Sequence, residues 1–252
     1  MKKRVFILMT MVLLFALSFA TGCKKNQETE GVGYGLVHKD YVGIATMKVK
    51  KERVTSLSFE EVFLPSTWAQ VTAEDVSEDL TVLHTTHGSN VKLAKYLLIG
   101  DKKFTGTATA SGEGENQTYT VTYSAEGIAD LKAYVQASEE NAKWYAEALL
   151  ANKAKVADAT FKEATFDFSG KTKGFTKTAA NYWPEGGNGL GWKKNMQYMA
   201  DALVGTKMDA AESKIVKEGN TWTFDGVTSQ ATLTDALDYY KVAQRAYKNA
   251  TK

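Results

Sequence analysis

Asp225-Gly226-Val227-Thr228-Ser229-Gln230-Ala231-Thr232-Leu233-Thr234-Asp235 is the stretch whose reading decides the fold. Small and hydroxylated residues there run straight into an amphipathic segment that ends near Tyr247. Leu233, Ala236, Leu237, Tyr240 and Ala243 recur at the spacing of one helix face. Thr232 or Thr234 is expected as the N-cap, and Asp235 stands three residues after Thr232, as in a capping box. A helix start offers free backbone N–H groups and a partial positive charge, which suit a phosphate. The Thr232 hydroxyl would be placed to donate to that phosphate or to be esterified by it. A capped helix that binds nothing carries the same local signature.

The other end of the chain reads as β structure. Val32, Tyr34 and Leu36 alternate with Gly31, Gly33 and Gly35. Tyr41, Gly43, Ala45, Met47 and Val49 share one face of a second run. Lys50-Lys51-Glu52-Arg53 reads as its turn, and residues 54–64 as the return strand, with Leu57, Phe59 and Phe63 on one face. The small residues of these strands suit close packing or a close ligand. Gly31-Val32-Gly33 lacks the third glycine and the preceding strand that a dinucleotide loop requires.

Together these two stretches resemble the covalently flavinylated FMN-binding domains. That family carries Asp-x-x-Ser/Thr-Gly-Ala-Ser/Thr followed by a C-terminal helix. Ser229-Gln230-Ala231-Thr232 is similar to its Ser-Gly-Ala-Thr core, with Gln230 in the glycine position, and Asp225 to its leading acid, one residue further away. Tyr41-Val42-Gly43 and the charged turn follow the family's opening hairpin. The resemblance implies that the two ends of the chain meet in space. It implies an α+β fold of antiparallel hairpins packed with helices, an FMN-binding-like core at 31–64 and 221–248, and a central elaboration at 65–220. It also implies FMN near Thr232, with Ser229, Ala231, Asp225 and Thr234 around the phosphate. The cofactor would be held with or without a covalent bond. The function implied is electron relay by a carrier that turns over no substrate of its own. A flavin transferase is a required partner if the bond is covalent.

The first residues form a separate unit. Lys2-Lys3-Arg4 is a basic n-region, residues 5–19 an apolar h-region, and Ala20-Thr21-Gly22-Cys23 resembles a lipoprotein cleavage box. A signal anchor is the competing reading, although 5–19 is short for a span. Cys23 is the sole cysteine, so it makes no internal disulfide and is expected to carry acyl chains. The expected division is 1–22 leader, 23–30 lipidated tether and 31–252 folded domain, held on the extracytoplasmic side of a bacterial membrane. Of 31 basic residues, the three in the leader are lost, leaving 28 against 29 acidic ones. That near-neutral balance gives no sign of a nucleic-acid partner.

The middle of the chain reads in pieces. Val91, Lys92, Ala94, Lys95 and Leu98 fit a helix turn or a strand. Residues 104–123 alternate as a hairpin around Ser111-Gly112-Glu113-Gly114-Glu115-Asn116. Ile128, Leu131, Tyr134 and Val135 mark a helix, and Ser138 is expected to cap a second one through Asn152. Residues 160–168 alternate like a strand. Residues 181–192, with four glycines and a proline, form a loop before a helix from Trp192 to Val204, whose Met196, Met199, Ala200 and Leu203 face inward. Tyr182, Trp183 and Trp192 are too apolar to stand free and offer a wall for a flavin ring, although core packing would explain them equally. The hairpins at 41–59 and 104–123, each followed by helix, give a faint hint of duplication.

Other chemistry finds little support. His84 and His87 lie three apart, but no acidic partner stands at ligand spacing, so no metal site is expected. Asp75, Glu78 and Asp79 read as a solvated face, and His38 as a strand-end residue. Neither a Gly-x-Ser-x-Gly elbow nor a cysteine nucleophile left free by lipidation is present, so hydrolase chemistry has no motif. A surface-binding lipoprotein without flavin, or a capture protein whose lid is 182–192, are the alternatives.

Overall fold

The computed structural model describes residues 26–164, 174–187 and 189–252. The chain is a mixed α/β protein, and all eight strand pairings among those residues are antiparallel. The leader, Cys23 and residues 165–168 of the alternating run lie outside the described residues; the described part of that run, 160–164, is not the expected strand but a turn with one isolated bridge, Glu163 to Ala157. No helix among the described residues is long and apolar enough to cross a membrane.

Strands β1 (Thr29–Val37), β2 (Tyr41–Lys50) and β3 (Arg53–Phe63) form a meander in the order β1-β2-β3. The expected turn is present: Lys51 and Glu52 both take positive φ, the geometry of a tight two-residue hairpin. The middle strand β2 is buried along most of its length. That is why it reads as a nearly unbroken apolar run. On β1, Gly31, Gly33 and Gly35 alternate with Val32, Tyr34 and Leu36, and the glycines are the buried set.

The last helix, α6 (Ala236–Thr251), crosses β1 and β2. A Cβ on Gly33 would fall inside van der Waals distance of the Val242 carbonyl oxygen and the Ala246 amide nitrogen. The glycines therefore let the helix backbone lie directly on the strand. Its buried stripe includes Ala236, Tyr240 and Ala243, as the spacing indicates, together with Tyr239, Val242 and Ala246. The two ends of the chain do meet.

The second unit begins with α1 (Pro65–Trp68) and the hairpin of β4 (Thr81–Thr86) and β5 (Ser89–Ala94). A four-stranded sheet follows in the order β8-β7-β6-β9, from β6 (Tyr96–Ile99), β7 (Lys102–Ser111), β8 (Thr118–Ser124) and β9 (Ala154–Ala157). Residues 91–98, open to helix or strand on spacing alone, are strand. The helices α2 (Leu131–Ala137) and α3 (Glu139–Leu150) connect β8 to β9, and Ser138 caps α3 by accepting from the Asn141 N–H, as expected.

The chain then returns through α4 (Lys177–Ala180) and α5 (Gly191–Leu203) to β10 (Ile215–Glu218), β11 (Thr221–Phe224) and β12 (Val227–Ser229). Met196, Met199, Ala200 and Leu203 of α5 are buried, as the pattern requires. Because α4 and α5 pack on β3, the stretch 65–220 is not one elaboration. Its last part is built into the same packing as the first three strands. The buried apolar residues form one continuous core that draws on most of these elements.

Candidate functional site

The Thr232 segment is pinned from three sides. Ser229 is buried, donates its hydroxyl to the Tyr198 carbonyl at 3.0 Å and accepts from the Ala231 N–H at 3.0 Å. The fully buried Asn195 of α5 accepts through Oδ1 from the Thr232 N–H at 2.7 Å and from the Thr232 hydroxyl at 3.4 Å. The Leu233 carbonyl accepts from the Trp222 indole at 2.7 Å. The segment is thus extended: Ser229, Ala231 and Leu233 point inward, while Gln230, Thr232 and Thr234 face solvent.

This pinning corrects the expected N-cap. Neither Thr232 nor Thr234 caps α6: the Thr232 hydroxyl is turned to Asn195, and the Thr234 hydroxyl donates to Asp235. The N-cap position is Asp235, whose side chain makes no capping bond. Its carboxylate accepts instead from the Thr234 hydroxyl at 2.7 Å and from His38 Nδ1. Burial works to raise the Asp235 carboxyl, but the bonds from Thr234 and His38 outweigh it and hold the group below its ordinary range.

Other expected members of the site are apart from Thr232. Asp225 occupies the β11–β12 turn with Gly226, both at positive φ. It lines a small cavity of about 350 Å3 that Thr232 does not reach. Trp192 is core: it is 2% exposed and donates its indole to Glu61. It cannot serve as a ring wall. Trp183 is 46% exposed, and its carbonyl accepts from the Trp192 N–H at 2.9 Å, so its loop leads directly into α5.

A larger cavity, about 780 Å3, opens where the β1–β2 turn meets the β4–β5 hairpin, β8 and α2. That size falls within the range of about 300–1,000 Å3 usual for small-molecule sites. All three histidines of the chain, His38, His84 and His87, line it. Tyr41 and Tyr182 form one wall, with the Tyr41 hydroxyl donating to Tyr182 at 3.3 Å. His38 stacks on Tyr41 at 5.9 Å. Through the His38–Asp235 bond, this cavity adjoins the start of α6. Among the described residues no group of three or more His, Cys, Asp or Glu side chains is placed to hold a metal ion.

His84 makes the cavity sensitive to pH. Burial holds its imidazole below the ordinary value of 6.5; Asp40 opposes the shift and Lys132 adds to it. Its Nδ1 is buried and has no hydrogen-bond partner among the described residues. Above 6.5 the ring is neutral both folded and unfolded. Below it, the unfolded chain takes up the proton first, so stability falls until the native ring titrates too. The variant His84→Gln should show a flatter stability profile than the parent between about pH 7 and pH 5 in urea unfolding. An unchanged slope would show that His84 is not the group responsible.

Behind the Tyr41 wall lies a buried ion pair that the sequence reading did not single out. Glu61 is 0% exposed, and its Oε2 lies 2.7 Å from Nζ of Lys177, which is 4% exposed. Glu61 Oε1 accepts from the Trp192 indole and the Tyr239 hydroxyl. Lys177 Nζ sits 3.9 Å from the centre of the Tyr41 ring. Burial first, and then the neighbouring Glu61, push the Tyr239 phenol well above its ordinary range. The only sequence signal was the Glu60-Glu61 pair: in a strand one of two neighbours must face inward.

Compared with known proteins, the chain matches no family model, no curated protein and no solved structure at a significant level.

Proposed function

We propose that the protein is a lipid-anchored flavoprotein of the bacterial cell envelope that carries FMN at Thr232 and relays electrons outside the cytoplasm. The observation that supports it most is the disposition of the motif. Ser229 and Ala231 are spent on packing, while Thr232 is exposed at the end of a fixed segment just before α6, its hydroxyl making one long bond, at 3.4 Å, to Asn195. An acceptor for a phosphoester needs that combination: a rigid backbone and an open oxygen.

Gln230 also faces solvent. The residue that departs from the family's glycine therefore does not disturb the core. It stands on the same exposed side as Thr232, where it borders the approach to the hydroxyl. The transferase would have to supply FMN as an activated phosphoanhydride. The Thr232 oxygen bonds to phosphorus, the other half of the anhydride leaves, and the hydroxyl proton passes to solvent. Bound FMN would supply the one- and two-electron chemistry. The chain's own residues would orient it: Asn195 fixes Thr232, and His38 and Thr234 hold the Asp235 carboxylate away from the first-turn N–H groups.

The anchor at Cys23 suits this role. β1 starts six residues later, and its nine residues run about 30 Å. That length carries His38 and the start of α6 to the far end of the sheet, where a soluble redox partner would have access.

Intact mass after co-expression with a flavin transferase tests the reading. Wild type should gain one FMN phosphoester, Thr232→Val should gain none at unchanged melting temperature, and Gln230→Gly should load faster. Unmodified wild-type protein would remove the covalent claim. A second reading is favoured by the 780 Å3 cavity, which Thr232 does not line: a binding lipoprotein that retains the fold without flavin.

A further inference from the structure

We infer that the cavity between the β1–β2 turn, the β4–β5 hairpin, β8 and α2 is a seat for an uncharged flat ring, the isoalloxazine of a flavin. The cavity itself stands on geometry; only the identity of the ring rests on the flavin reading above.

Three of the charged side chains around the cavity are already partnered. Lys132 is paired with Asp40 at 2.8 Å. His38 is committed to Asp235. Asp130 caps α2, accepting from the N–H groups of Lys132 and Ala133 at 2.8 and 3.2 Å. Each of these charged side chains already has a partner in place. An anion entering there would compete with Asp40 for Lys132 and with Asp235 for His38, whereas the buried Nδ1 of His84, which has no partner among the described residues, can meet a polar edge of an uncharged ring. An uncharged ligand disturbs neither of those pairs.

The surface chemistry agrees. Val91 and Val121, half-buried, give the cavity an apolar floor, and Tyr41 and Tyr182 give it an aromatic side. Tyr41 is fixed by three contacts: His38 stacks on it, Phe63 meets it edge-on at 5.9 Å, and Lys177 lies beneath it. The rim carries short hydroxyl side chains, among them Ser66, Thr86 and Thr120. Apolar faces and a rim of donors and acceptors match a flat heteroaromatic ring with polar edges. The position agrees as well. The cavity ends at His38, which is bonded to Asp235, and three extended residues from Asp235 to Thr232 span at most about 10 Å. Thr232 does not line the cavity, so a flavin esterified there would have to extend its ribityl chain past Asp235 and His38 to seat its ring in it.

Riboflavin, which has no phosphate, tests the seat apart from the ester. It is titrated into full-length protein made without transferase, and its fluorescence quenching and anisotropy are followed. Saturable binding is expected, equal in wild type and Thr232→Val. Thr86→Trp and His87→Trp, both placed on the open β4–β5 hairpin, fill the cavity and should weaken binding about tenfold or more. Circular dichroism and melting temperature show that each variant is folded, and two positions guard against one failing. Failure to saturate, or equal binding by both tryptophan variants, overturns the seat. Mass increments at Thr232 are read separately. Loading without riboflavin binding ends this inference and leaves flavin carriage standing; riboflavin binding without loading keeps the seat and removes only the covalent bond at Thr232.

Discussion

Glu61→Ala should be among the most destabilising single substitutions in the chain, costing about 3–5 kcal/mol in urea or thermal unfolding. The change strands Lys177, which is 4% exposed and has the Tyr41 ring against it. It also removes the acceptor for the Trp192 indole and the Tyr239 hydroxyl, two donors enclosed in the core. Unmet buried donors add about 1–3 kcal/mol each where no water enters. For a chain of this size each kcal/mol lowers the melting temperature by about 2–4 °C, so a fall of about 10 °C or more is expected. Glu61→Gln keeps an acceptor for both donors and loses only the charge, so it should fall between wild type and Glu61→Ala. The double variant Glu61→Met with Lys177→Met should be more stable than Glu61→Ala alone, because no buried charge is left over. A cost below about 1 kcal/mol for Glu61→Ala would mean that the pair is open to water.

The ion pair also shows where the sequence could and could not be read. The first three strands, the Ser138 cap and the buried stripe of α5 follow from periodicity and local capping chemistry, which depend on neighbours in the chain. Glu61 and Lys177 are 116 positions apart and meet only because α4 returns to β3. No pattern local to either residue could pair them. His38, His84 and His87 are another case. Each reads alone as a surface residue or a poor ligand, and the shared cavity exists only once the β4–β5 hairpin folds toward the β1–β2 turn. The N-cap of α6 was misplaced for a similar reason. Thr232 satisfies the local capping rule, but its hydroxyl is turned to Asn195 of α5. Trp192 was placed with the loop because glycines precede it, yet α5 starts at Gly191 and turns its indole inward. Tertiary partners overrode local preference in each instance. The short strands β9 to β12 lack a long alternating run and were not expected at all.

Gly33→Val should cost about 3 kcal/mol or more, because the clash it creates is with backbone. An added Cβ at Gly33 meets the Val242 carbonyl oxygen and the Ala246 amide nitrogen, and one at Gly31 meets the Ala246 carbonyl and the Ala250 amide nitrogen. These atoms belong to the hydrogen-bond ladder of α6 and cannot turn aside as a side chain would. Either α6 lifts from β1 or the strand bends, and both open the most extensive helix–strand contact among the described residues. Gly33→Ala should cost less than Gly33→Val but more than an alanine at Gly88, whose Cβ would meet nothing within 4 Å. The left-handed φ of Gly88 makes that control a strict one, since strain alone accounts for its cost. The consequence reaches the proposed site. Lifting α6 displaces Asp235 and with it the His38 bond that joins the helix start to the large cavity. Hydrogen exchange should therefore show faster exchange at the α6 amides and at the 38–40 turn together in Gly33→Ala. In that variant loading at Thr232 should also fall while the hydroxyl itself is intact. Full loading and unchanged α6 protection in Gly33→Ala would show that the helix seat on β1 plays no part in presenting Thr232.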